Sequence, residues 1–154
     1  MSEEKMALAK SVYERVATTL DNMNLNYQRH DEDLVIHLGM RGDDMDHDML
    51  LFVREKNSVL SFVERLPFHL DPDKANEIAK AVCNVNNHLL LGGFTYEAGS
   101  KTLNFELSMP FSGSLIGEEA IQHVLIAAIK TVEDYDDKFL ALNKGYISAD
   151  EFKN

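Results

Sequence analysis

The stretch DPDKANEIAKAVCNVNNHLLLGGFTYEAGSKTLNFELSM, residues 71–109, decides the fold, because a helix signal, a glycine stop and an alternating strand follow one another within it. Asp71 can cap a helix, and Pro72 suits the first helical position. Ala75, Ile78, Ala79, Val82 and Leu89 recur at helical spacing, which predicts a helix running toward Gly92-Gly93. Glycine takes positive φ without steric cost, so this pair is the expected helix stop. Phe94 and Tyr96 then lead through Glu97-Ala98-Gly99-Ser100 into Leu103, Phe105, Leu107 and Met109, with Thr102, Asn104, Glu106 and Ser108 between them. A period of two with one polar face predicts an antiparallel sheet that is wet on one side.

Working outward, a first helix is expected from Ser2, with Glu3 and Glu4 in its first turn and Met6, Ala9, Tyr13, Val16 and Leu20 on one stripe. Asp21-Asn22-Met23-Asn24 ends it, and Leu25 to Arg29 alternates too weakly to enter the strand count. Leu34, Ile36, Leu38 and Met40 predict a strand with one core face. Met49 to Arg54 is apolar enough to predict a central strand covered on both sides, and Val59 to Leu66 a further strand closed by Pro67. Gly117 with Glu118 and Glu119 opens a last helix of about 25 residues, with Ile116 and Ile121 at hydrophobic-staple positions and Gly145 as its stop. Ser148-Ala149-Asp150-Glu151 is a capping-box pattern for a short final turn. The expected fold is therefore α+β, in the order α-β-β-β-α-β-β-α, with a five-stranded antiparallel sheet. Leu34, Ile36, Leu38, Leu103, Phe105 and Leu107 should face inward.

A chain of 154 residues with 45% hydrophobic and 27% charged residues suits one domain, here 1–154. With 26 acidic against 15 basic side chains the formal charge is -11, which repels phosphate backbones and anionic lipid. Neither nucleic acid nor a membrane is an expected partner. A lone cysteine, Cys83, cannot form an internal disulfide, and its place beside Val82 and Val85 predicts a small buried residue in a reducing compartment. The N-terminus shows no secretory pattern, and the longest apolar block, Val124 to Ile129, falls far short of the ~20 residues of a membrane span. These features lead to the expectation of a cytoplasmic protein.

Chemistry-bearing residues do not converge in sequence. Asp44, Asp46, Asp48 and Glu55 match positions 1, 3, 5 and 12 of a calcium-binding loop, but Met49 stands where that loop needs glycine, and a strand cannot wrap an ion. A second acidic run, Asp31 to Asp33, should lie at the opposite sheet end. The six histidines, His30, His37, His47, His69, His88 and His123, show no zinc spacing and are expected at the surface or its boundary. No metal, cofactor or catalytic residue is expected, and Asn84, Asn86 and Asn87 are read as groups that cap carbonyls or bond to the neighbouring strand.

The run Asn84-Val85-Asn86-Asn87-His88-Leu89-Leu90-Leu91-Gly92-Gly93-Phe94, the hairpin through Leu103, Phe105 and Leu107, and Gly117-Glu118-Glu119 resemble the YbjN-like family of bacterial sensory transduction regulators over roughly residues 34–142. The family's fold is similar to that of type III secretion chaperones. The resemblance implies Asn84, Asn86, Asn87, Gly92, Gly93 and Phe94 as a structural motif, and a non-enzymatic protein-binding or regulatory module whose partner is another protein. Two alternatives stand beside it: an ion-binding protein using the 43–48 loop, and an enzyme with dispersed residues starting from Asp46, His47 and Asp48. A homodimer is also expected, because Val124 to Ile129 is apolar all round and needs cover on a second side, which the first helix or a second copy could supply.

Overall fold

The computed structural model describes residues 2–153. Helix α1 (Ser2–Asn22) is followed by β1 (Tyr27–His30), β2 (Val35–Met40), β3 (His47–Arg54) and β4 (Val59–Arg65). Then come α2 (Ala75–Asn86), β5 (Gly93–Glu97), β6 (Thr102–Pro110) and α3 (Glu118–Asn143), with 3-10 turns at Pro72–Lys74 and Ala149–Phe152. The strands form one antiparallel sheet in the order β1-β2-β3-β4-β6-β5.

The sheet has six strands, not five. The added strand is β1, which pairs with β2 from Tyr27 opposite Leu38 to His30 opposite Val35. Its own alternation is weak because Gln28, Arg29 and His30 are all exposed at an edge. Pairing, not pattern, makes it a strand, and Tyr27 Oη anchors it to α1 by donating to Asp21 Oδ1 at 2.8 Å. The six side chains expected inward, Leu34, Ile36, Leu38, Leu103, Phe105 and Leu107, are all buried.

Strand β3 is central in the order but is covered on one face only. His47, Met49, Leu51 and Val53 are buried, whereas Asp48, Leu50 and Arg54 are exposed. Helices α1, α2 and α3 contact β3, β5 and β6 respectively and bury the single core cluster. No helix among the described residues is long and apolar enough to cross a membrane.

Helix α2 stops at Asn86, well before Gly92, with the Asn87 N–H bonded back to Cys83 O. Asparagine competes for backbone hydrogen bonds, so the helix yields there. Its buried stripe is Ile78, Ala81 and Val85, which turns Ala79 and Cys83 outward; Cys83 is an exposed thiol, not a core residue. Gly92 has a different task from ending the helix. Its φ is +72°, and a Cβ there would lie 2.6 Å from Phe105 Cζ and 2.8 Å from Glu106 O, so only glycine lets the chain enter β5.

Helix α3 is 26 residues long, roughly 39 Å at 1.5 Å per residue. Within Val124 to Ile129, Val124, Leu125 and Ala128 are buried and Ile126 is exposed, while α1 lies alongside α3. The first helix therefore supplies cover within one chain. At the C-terminus Ser148 makes no side-chain cap, so the expected capping box does not close. The turn is held instead by Asn84 Nδ2 donating to Ala149 O at 3.0 Å, by Ala149 N–H donating to Glu77 Oε2 at 3.1 Å, and by Phe152 stacked on Phe139.

Candidate functional site

The polar centre of the molecule is built where the β2–β3 loop folds over α3. Gly42 makes the fold possible, because a Cβ there would lie 2.1 Å from Met45 O and 2.8 Å from His47 Nε2. The Asp43 N–H donates to Glu133 Oε1 at 3.4 Å, and His47 Nε2 reaches the same oxygen at 3.2 Å. On its other side His47 Nδ1 lies 2.5 Å from Glu64 Oε1. His47 and Glu64 are 3% and 1% exposed, so this is a carboxylate-imidazole-carboxylate bridge inside the protein.

Two carboxylates facing both ring nitrogens require both to be protonated. The hydrogen bond to Glu64 outweighs burial and raises the His47 pKa from 6.5 to about 9, so the ring is an imidazolium at neutral pH. Burial pushes the Glu64 carboxyl above the usual range, against the pull of that same imidazolium. The bridge joins β3, β4 and α3 through side chains, with the attraction between the charges set against their desolvation. Next to it, burial raises Asp136 to about 6, and the charges of Asp44 and Asp137 add to the effect.

Of the enzymatic suspects, Asp48 separates from the other two. His47 points into the core; Asp48, its neighbour on a strand, points to the opposite face and pairs with His37; Asp46 stays in the exposed loop. Asp46 and His47 both line one depression, with Asn24, Leu25, Met40 and Arg41, but the two His47 ring nitrogens are taken up by Glu64 and Glu133. Among the described residues, Asp44 is the 43–48 carboxylate that joins acidic groups from elsewhere, Asp136 and Asp137. Asp31, in the other acidic run, accepts from Tyr13 Oη at 2.9 Å and Arg29 Nε at 2.8 Å. Sequence reasoning missed Glu64, Glu133 and Asp136. Two left a trace: Glu64 continues the inward set Leu60 and Phe62, and Asp136 stands four residues after Val132 on the buried stripe of α3.

The asparagine motif joins α2 to the sheet. Asn86 Nδ2 donates to Phe94 O and Asn86 Oδ1 accepts from Phe94 N–H, both at 2.9 Å. Phe94 itself is buried between Phe105 and Phe139, with ring centroids 5.2 and 5.0 Å away.

The second surface of note is the sheet face that no helix covers. Across it His37, Leu50, Val63 and Glu106 form one row, and Val35, Phe52, Ser61 and Ser108 the next. Leu50 is 37% exposed, and Val35, Phe52 and Val63 are half-buried around it. The pairs His37 with Asp48 and Arg54 with Glu106 border this apolar patch.

A six-stranded antiparallel sheet with all its helices on one face is a type III secretion chaperone-like fold. Residues 13–141 match the YbjN family, described as "Putative bacterial sensory transduction regulator", and the chain belongs to that family. Three solved structures share the fold. YbjN from E. coli is 12% identical with a TM-score of 0.57, over 82% of this chain and 92% of that one. The ExsC-ExsE complex gives 12% and 0.62, over 84% and 93%, and the HopA1-SchA chaperone-effector complex 11% and 0.57, over 83% and 96%. No curated protein matches the sequence.

Proposed function

We propose that this chain is a non-enzymatic protein-binding module of one domain that receives a partner protein on the uncovered sheet face. The observation that carries the proposal is the contiguous patch of Val35, Leu50, Phe52 and Val63, left bare because α1, α2 and α3 all lie on the other side. Apolar surface bordered by charge is the usual make-up of a protein contact. Two proteins of similar fold are named as complexes with another protein, which supports the same reading. The partner fitted to this face presents apolar side chains, with charges of both signs opposite Asp48, Arg54 and Glu106. The argument against catalysis is that both His47 ring nitrogens are held by Glu64 and Glu133, while Asp48 pairs with His37 on the opposite face. Asn84, Asn86, Asn87, Gly92, Gly93 and Phe94 serve the fold, and the chain works in the cytoplasm.

The test is affinity capture from the native cell with the wild-type chain and with the double variant Leu50→Glu, Val63→Glu. A partner retained by the wild type and lost by the folded variant supports the proposal; equal capture by both overturns it. Homodimerisation is the second part of the proposal, through Ile126, which α1 leaves open on α3. A stable contact should bury more than about 1,000 Å² in total. Light scattering that returns the 17.4 kDa of one chain would refute it.

A further inference from the structure

Beside the His47 bridge, Asp44 of the β2–β3 loop meets Asp136 and Asp137 of α3, and one carboxylate oxygen from each lies within 4.8 Å of the others. Exposed acidic groups often gather without consequence, and Asp44 and Asp137 are exposed. Asp136 is different. It is 1% exposed, its Oδ1 accepts the Asp137 N–H at 2.6 Å, and its Oδ2 is buried without a hydrogen-bond partner among the described residues. A buried carboxylate oxygen with no donor carries an uncompensated desolvation cost, and two further carboxylates beside it add repulsion.

The described residues relieve that cost only in part, through the Asp137 N–H on Oδ1 and the nearby His47 imidazolium. Among the described residues no lysine or arginine bridges to Asp44, Asp136 or Asp137. The Lys138 ammonium donates to Glu151 O instead, and the His47 ring is taken up by Glu64 and Glu133. Asp137 Oδ1 accepts the Lys138 N–H, which leaves its second oxygen available.

We infer that Asp44, Asp136 and Asp137 form a binding site for a hard divalent cation of the magnesium, manganese or calcium class. The donor set is oxygen only, which such ions prefer and which soft metals do not select. Three carboxylates from two segments leave the remaining coordination positions to water, as magnesium and manganese commonly keep them. The ion would supply the charge that Asp136 Oδ2 lacks, and it would tie the loop to α3. The site differs from a calcium-binding loop over Asp44, Asp46 and Asp48, because two of its three ligands come from a helix.

The test is titration calorimetry of the full, metal-stripped chain with magnesium, manganese and calcium chlorides, paired with melting curves. The expected result is one saturable site for at least one of these cations, with a matching rise in Tm. Both should be lost in Asp136→Asn and kept in Asp46→Asn, which lies in the same loop but outside the cluster. Asp136→Asn removes a buried, unpaired charge, so without metal its Tm should equal or exceed that of the wild type. If it fails to fold, the exposed Asp137→Asn replaces it with the same expectation of lost binding. Manganese should broaden NMR signals of His47 and Glu133 before those of Asp31 to Asp33. No saturable heat with any of the three cations, unchanged binding in both variants, or equal broadening at both acidic clusters would overturn the inference.

Discussion

Asn86 holds Phe94 by both of its backbone groups, with one amide side chain acting as donor and acceptor at 2.9 Å each. The side chain at the end of α2 thereby takes the place of a neighbouring strand at the entrance to β5. Asn86→Ala should destabilise the protein by about 2 kcal/mol, because two backbone groups beside a buried phenylalanine lose their partners at once. Asn86→Asp keeps the acceptor but sets a carboxylate against Phe94 O, and should be no more stable than the alanine variant. Urea unfolding decides it: a cost within error of zero for Asn86→Ala would show that water replaces the bridge.

Gly92→Ala should cost about 2–4 kcal/mol, adding the strain of a positive φ to overlap with Phe105 and Glu106 O. Gly99→Ala is the matched control, since nothing lies within 4 Å of a Cβ there and its φ is not positive. Equal stabilities for the two variants would mean that β5 and β6 move apart easily.

Stability should fall as pH rises from 6.5 to about 9. His47 has its folded pKa raised to about 9 from the ordinary 6.5, so its contribution is complete below 6.5 and is lost as pH passes through 9. The charged groups that bear on it are Glu64 from β4 and Glu133 and Asp136 from α3. The loss should not exceed about 3–4 kcal/mol, at 1.36 kcal/mol per pKa unit. Denaturant unfolding at pH 6.5, 7.5, 8.5 and 9.5 measures the slope, and His47→Gln should flatten it. A wild-type slope of zero would mean that the ring is neutral in the folded protein.

The two faces of β3 should respond differently. Leu51→Ala, on the buried face, should cost about 2–5 kcal/mol. Leu50→Lys, on the open face, should change stability by no more than about 0.5 kcal/mol. Comparable losses would show that something in the chain covers Leu50 after all.

The sequence makes the sheet readable wherever one face is buried and the other wet, as in Leu103, Phe105 and Leu107, because alternation is then imposed by the core. It hides β1, whose residues sit at an edge and owe their conformation to β2. It misleads at β3, where Leu50 and Phe52 are apolar yet belong to the open face; an apolar run does not distinguish a covered side from a docking side. The same ambiguity moves the helix stop. Leu89, Leu90 and Leu91 extend the apolar pattern past Asn86, but they lie beyond α2, and Leu90 is 95% exposed. The site was legible only in part: His47 and Asp44 stand out in a polar loop, while Glu64, Glu133 and Asp136 are joined to them only by tertiary packing.

Four of the sheet's five pairings join strands that follow one another along the chain, and β4 with β6 is the exception, running from Val59 opposite Pro110 to Arg65 opposite Asn104. Hairpin contacts close short loops, whereas this seam must wait for the whole of α2 and β5 to be gathered in, at a greater loop-closure entropy. The seam should therefore zip last, with the β1–β4 meander as the folding nucleus. Mutational φ-values near zero at Leu107 and clearly higher at Leu51 would express that order, and the reverse ranking would exclude it. On this kinetic map the Asn86 bridge, which grips Phe94 within β5 beside the seam strand β6, acts as a latch that helps the late half of the sheet stay closed by slowing unfolding more than it speeds folding.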